Sequence, residues 1–271
     1  MAETVATRVS TGAPALLGGM RHAIELLYLL TRRELKLRYQ DTVFGFAWTA
    51  AKPLLFGLVV WFALHKTLRV ETDVPYHLFL LSALLPWTLF QSSLLFATPQ
   101  FARNGNLVKK VPFPAAVLPM AIIANNTVHF LLSLPVLVVF LVLAERPPGV
   151  EWLAGVPLLL ALQLVLMTGL VLMLSAIDVF FRDLEHLIEV MLTLLFYVTP
   201  ILYPLAAAPS PWQDILKLNP LAGLIEAWRD LLVSNQLPGV DIWPSLALTA
   251  LALVAGIWVF GRLRPAFADH L

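Results

Sequence analysis

The chain has 271 residues, of which 59% are hydrophobic and only 13% charged, with a formal net charge of +1 at pH 7. Soluble domains carry about 25% charged residues, so these charges are too few to cover a soluble fold of this size. Cysteine is absent, which excludes disulfides, thiolate metal sites and cysteine nucleophiles.

Residues 1–20 are mixed and weakly apolar, so no cleavable signal peptide is expected there. Residues 21–40 are apolar and basic together. On a helical wheel Glu25, Arg32, Arg33 and Lys36 share one face, and Ile24, Leu27, Tyr28, Leu35 and Tyr39 another. This predicts a helix lying in the cytoplasmic interface, with its basic groups near anionic lipid headgroups; the alternative is a simple solvated helix. A membrane span needs about 20 apolar residues to cross roughly 30 Å of hydrocarbon. Six stretches meet that need: 44–64, with Lys52 as its one charge; 78–101; 115–143, which holds Asn125, Asn126 and His129; 153–177, preceded by Trp152; 187–205, with Glu189 near its start; and 243–260. The expected fold class is therefore an all-α integral membrane protein, read as a single domain over 1–271.

Six spans put both termini on one side. Twelve Lys and Arg fall in segments on the amino-terminal side and five on the other, with Lys52 inside a span. That bias predicts cytoplasmic termini. The stretch 206–242 is too long for a turn and is divided by Pro209, Pro211, Pro220 and Pro238. Asn219-Pro220 is a good helix start, with Asn as N-cap and Pro in the first turn. Leu221, Leu224, Ile225, Trp228 and Leu232 then form an apolar stripe. Two short external helices are expected, re-entrant or interfacial, packed where irregular backbone is covered by protein.

Several chemistries lack their motifs. There is no GxxxxGK(S/T) phosphate loop, no HExxH and no GxSxG, and the six His residues are scattered without metal-ligand spacing. No metal or catalytic residue is expected on this chain, and nothing points to nucleic acid.

Five sequence blocks do form a pattern. They are Arg38-Tyr39-Gln40 leading into Gly45-Phe46-Ala47-Trp48 and Pro53-Leu54; Leu84-Leu85-Pro86-Trp87-Thr88-Leu89-Phe90; Asn106-Leu107-Val108-Lys109-Lys110-Val111-Pro112-Phe113-Pro114; Phe181-Arg182-Asp183-Leu184 with Thr199-Pro200-Ile201-Leu202-Tyr203-Pro204; and Asn219-Pro220-Leu221-Ala222-Gly223-Leu224-Ile225-Glu226. In this order the chain resembles the membrane-spanning permease subunit of type-2 ABC exporters, most of all those for lipid-linked polysaccharides of the O-antigen, capsule or teichoic acid type. It departs from that pattern at Lys52, where Gln is expected, and at Asp178, where Asn is usual.

The resemblance implies a homodimer in the bacterial cytoplasmic membrane, paired with two separate nucleotide-binding subunits that bind ATP and Mg. It also implies a lipid-linked glycan as cargo and a loop 102–114 used as a coupling helix. Asn104, Gly105, Asn106, Leu107, Lys109 and Lys110 are the candidates there, with Arg182 and Asp183 as a second contact beside Glu185 and His186. The other reading of that loop is an ordinary positive-inside turn. Sugar rings present apolar C–H faces that pack on aromatic rings, so Trp48, Phe56, Trp87, Phe90, Phe196, Tyr197 and Tyr203 are candidates for the substrate path; ordinary span aromatics are the alternative. Lys52 either attracts the diphosphate of the cargo or snorkels to lipid headgroups. Asn219, Pro220, Glu226, Trp228 and Arg229 are candidates for an external gate, against a surface pair of Glu226 and Arg229. Rival functions are export of drugs or simple lipids and, from another class, a membrane-embedded enzyme or scaffold.

Overall fold

The computed structural model describes residues 13–40, 47–60, 62, 74–110, 114–207, 209, 211, 213, 216, 219–239 and 242–270. Among them the regular elements are all helical. In chain order these are α1 (Ala13–Tyr39), α2 (Ala47–Val60), α3 (Tyr76–Ala97), the short α4 (Gln100–Arg103) and α5 (Gly105–Lys110), α6 (Val117–Leu143), α7 (Glu151–Asp178), α8 (Leu184–Val198), α9 (Pro220–Ser234), α10 (Trp243–Leu263) and α11 (Phe267–His270). Four stretches have the length and composition to cross a membrane: Tyr76–Ala97, Val117–Leu143, Glu151–Asp178 and Trp243–Ala266.

α3 is the hub. It is apolar all round, the pattern of a helix surrounded by others, and Leu78, Leu80, Ala83 and Ala97 are fully buried. α2, α6, α7, α8 and α9 all pack on it. α10 lies instead along α7. Small residues let those two backbones nearly touch, the usual device where lipid gives helices no hydrophobic reason to associate. A Cβ on Gly169 would stand 2.5 Å from the Ala252 backbone, and one on Gly256 would overlap the Gly169 carbonyl.

Two predicted elements differ in extent. α1 begins at Ala13 rather than near 21; Pro14 falls in its first turn, where no backbone N–H is needed. The apolar run 187–205 is not one helix. α8 ends at Val198, and Thr199 is extended, at φ −79° and ψ 139°. The residue before a proline is pushed out of the helical region, and Pro200 does this to Thr199. The run resumes only as a 3-10 turn, Leu205–Ala207. α8 therefore has 15 residues and α2 has 14, about 22 Å and 21 Å at 1.5 Å per residue, less than a full crossing. Positions 44–46, 61, 63 and 64 of the first predicted span lie outside the described residues, as does much of the first predicted short helix in 206–218.

The second short helix forms as expected. Asn219 is its N-cap: the side-chain oxygen accepts from the Leu221 N–H at 3.0 Å, and Pro220 sits in the first turn. Its other end is closed by Asn235 in the left-handed region, at φ 53°, a conformation Asn tolerates better than most residues. The Asn235 side chain accepts from Gly149 N–H at 2.8 Å and donates to the Pro147 carbonyl at 3.1 Å, so it ties α9 to the α6–α7 connection.

The buried residues form two clusters. The larger joins α3, α6, α7, α8 and α9. The smaller sits where α4, α6, α7 and α11 meet, around Phe101, Ala115, Leu118, Ala176, Val179 and Phe267.

Candidate functional site

Three regions hold the residues singled out by the sequence. The first is a column of aromatic rings. Phe56 of α2 meets Phe196 of α8 edge-on at 6.0 Å between centroids. Phe196 also packs against Trp87 of α3 at 5.6 Å and Tyr197 at 5.3 Å, and Trp87 lies 5.8 Å from Phe90. Residues 140 positions apart in the chain thus form one continuous group. They are not equivalent. Trp87 and Phe90 are 2% exposed, and the indole N–H of Trp87 is spent on Gln91 in its own helix. Phe56 and Tyr197 are 46% and 62% exposed. The buried rings back the column and the open ones face outward, as does Trp48. Tyr203 has a local duty: its hydroxyl lies 3.2 and 3.1 Å from the carbonyls of Tyr197 and Val198 and donates to that pair, covering acceptors that a helix end leaves open. The Lys52 side chain lies outside those described.

A recess of about 80 Å³ lies beside this column, lined by Leu54, Gly57, Leu58, His77, Leu81 and Phe140. Ligand clefts typically measure about 300–1,000 Å³, so this recess is too small and too apolar for a glycan.

The second region is the end of the bundle carrying α4 and α5. Asn104 ends α4, and its amide donates to the backbone and side-chain oxygens of Gln100, both at 3.0 Å. That closes the turn from which Gly105 starts α5. Leu107 packs against the smaller cluster, while Lys109 is exposed. The side chains of Asn106 and Lys110 lie outside those described. Arg182 and Asp183 are exposed. The two loops are joined by an ion pair between Arg103 and Glu185, half open to solvent. Behind it Asp178 is 2% exposed, and its Oδ1 has no hydrogen-bond partner. The sequence marked Asp178 as unusual but gave no sign of its burial.

The third region lies at the opposite end, around α9. Trp228 is fully buried. Its indole N–H donates to Gln163 Oε1 at 2.8 Å, and Gln163 Nε2 donates to the Pro86 carbonyl at 2.7 Å. Phe130 meets the Trp228 ring edge-on at 5.2 Å. α9 is thereby anchored to the middle of α3 and α7. Arg229 is also buried, at 8% exposure. Its Nη2 donates to the Pro200 carbonyl at 2.7 Å and the Ile201 carbonyl at 3.4 Å, its Nε donates to the Phe79 carbonyl at 3.4 Å, and its guanidinium carbon stands 3.7 Å from the centre of the Phe79 ring. Burial lowers its pKa to about 10, with Glu226, Asp230 and Tyr76 opposing; it stays a cation at neutral pH. Glu226 is half-buried on the same helix. Two further bonds converge here: Asn219 Nδ2 donates to Thr199 Oγ1 at 3.0 Å, and the Tyr76 hydroxyl donates to the Leu202 carbonyl at 2.9 Å. Sequence reading missed Gln163 and Tyr76. A lone Gln within the otherwise apolar run 153–167 was the available signal for the first, since intramembrane polar groups need partners.

With four helices long and apolar enough to cross a membrane, an irregular joint gripped by α9 and a helical loop at the opposite end, the architecture is that of an integral membrane protein. The chain belongs to the ABC-2 type transporter family, which it matches over residues 25–233. Among curated relatives, it is 34% identical over 252 residues to the O-antigen export system permease protein RfbA of Klebsiella pneumoniae, covering 92% of this chain and 96% of that one. It is also 34% identical to the protein of the same name in Myxococcus xanthus, over 91% and 95% of the two chains. The polysialic acid transport protein KpsM of Escherichia coli is 23% identical over 72% of this chain and 75% of its own.

Proposed function

We propose that this chain is the permease subunit of an ATP-driven exporter that moves a lipid-linked polysaccharide of the O-antigen type across the bacterial cytoplasmic membrane. One observation carries the reading: about a third of residues are identical to O-antigen export permeases over more than nine-tenths of both chains. The chain supplies the path, and a separate nucleotide-binding subunit binds ATP and Mg. Two copies of each form the working complex. In it α2 and α8 serve as the two further spans, bringing the number to six with both termini cytoplasmic. The pore lies between the two permease copies; the open rings of Trp48, Phe56 and Tyr197 support this. Lys52 draws the cargo's phosphate toward that path. Asn104 to Lys110, with Arg182 and Asp183, seat the ATPase subunit, and the α9 region with Asn219, Pro220, Glu226, Trp228 and Arg229 governs the outer exit.

The test is genetic and biochemical together. Deleting the gene should remove the polymer from the cell surface while lipid-linked glycan accumulates inside, and the tagged chain should co-purify with an ATPase subunit. A chain that never brings down an ATPase is not such a permease; one that does, yet leaves surface glycan intact when deleted, exports something else. Reversing charge at Lys109 and Lys110 together should lower cargo-stimulated ATP hydrolysis about tenfold, since like charges placed across an interface repel. Unaltered hydrolysis would remove this loop from coupling.

A further inference from the structure

In sequence, Arg229 stands beside Glu226 as one half of a gate pair or a surface pair. Its donors go elsewhere. Three backbone carbonyls receive them, two in the joint that follows α8 and one at the outer end of α3. The joint needs such a donor. Pro200 stops α8, so the carbonyls of Pro200 and Ile201 stand outside any helical ladder, yet both residues are buried. Buried carbonyls without donors are costly. A guanidinium is well suited to the task, because its planar fork holds several donors at fixed angles, whereas an ammonium is a single point. The Phe79 ring beneath it fixes the plane of the fork. Asn219 and Tyr76 grip the same joint from α9 and α3, at Thr199 and Leu202. Four consecutive residues, 199 to 202, are each held by a side chain from another helix. With only Val198 between, Phe196 and Tyr197, the aromatic end of α8, precede them.

We propose that Arg229 is a positioning residue: by holding the Thr199–Leu202 joint against α3 it sets where the aromatic end of α8 stands, so that α8, α9 and the outer end of α3 move as one body during transport. The placement of the joint is independent of what the chain carries; its consequence for export rests on the permease reading above.

The absence of cysteine makes the joint directly observable. Ala206, exposed just beyond the joint, and Val150, 73% exposed on the α6–α7 connection, are replaced singly by cysteine and spin-labelled in the full permease–ATPase complex. R229M should raise label mobility at A206C about fivefold while changing it less than about twofold at V150C, the pattern of local rather than global release. R229K, which keeps the charge and loses the fork, should fall between. Unchanged mobility at 206 overturns the proposal. An equal rise at both positions overturns it too, since Arg229 would then hold the whole fold and not this joint. The second readout is transport: R229K should lower glycan export about tenfold, the scale of a lost charge-assisted hydrogen bond, with assembly and ATP hydrolysis kept. Export that falls only in step with the amount of assembled complex would mean a purely structural role. A mobile joint in a chain that exports no glycan would leave the clamp standing and sink the permease reading instead.

Discussion

Around α9, a buried arginine, a glutamine and two asparagines join α3, α7, α8 and the α6–α7 connection by hydrogen bonds whose partners are named on both sides. At the end carrying α4 and α5, among the described residues, the contacts include four phenylalanine rings, Phe101, Phe180, Phe260 and Phe267, and an exposed ion pair. The contrast is one of stiffness. Directed bonds in a low-dielectric interior fix geometry and are expensive to break. Ring-on-ring contacts admit several packing geometries, offset or edge-on, at similar energy, and an exposed ion pair is nearly neutral. On the function proposed above, the end that meets the ATPase subunit is the one that yields, and the α9 end is the one that holds its shape.

The sharpest way to break this comparison is at Trp228. W228A removes a fully buried indole and strands the Gln163 carbonyl, so it should cost about 3–5 kcal/mol, read as a large fall in the thermal midpoint of the detergent-solubilised protein. If the loss were no larger than for a surface change, the α9 end would not be the rigid one. Asp178 tests the opposite end. A buried carboxylate with an open Oδ1 is a local flaw, and D178N, which removes the charge and adds donors, should raise stability by about 1 kcal/mol. A fall would reveal that the carboxylate is used in the assembled complex. The smallest effect is expected at the ion pair: E185Q should change stability by less than about 1 kcal/mol, and less still at high salt.

What the sequence made legible was local or periodic. The Asn219-Pro220 start could be read because cap and helix are neighbours. The spans around 78–101, 115–143, 153–177 and 243–260 could be read because apolar blocks of that length have few other uses. The end of α8 was misjudged because hydropathy runs smoothly across Pro200 while the backbone does not. The aromatic column was visible as residue types, but which rings stay open depends on α2, α3 and α8 meeting. Arg229 shows the limit most clearly. In sequence its neighbours are Glu226 and Asp230; in space its partners are carbonyls 28, 29 and 150 positions away. Carbonyl acceptors belong to every residue, so no residue type announces them.

The crossing of α7 and α10 constrains how such a chain can change over time. Val254, Ile257 and Trp258 on the open face of α10 can exchange one apolar side chain for another with little penalty. Gly169 and Gly256 cannot accept even a methyl group unless both helices shift. Drift in this pair is therefore frozen while its surroundings wander, and a lineage adapting to a bulkier cargo would have to widen elsewhere, leaving this crossing as the fixed point about which the rest of the subunit diverges.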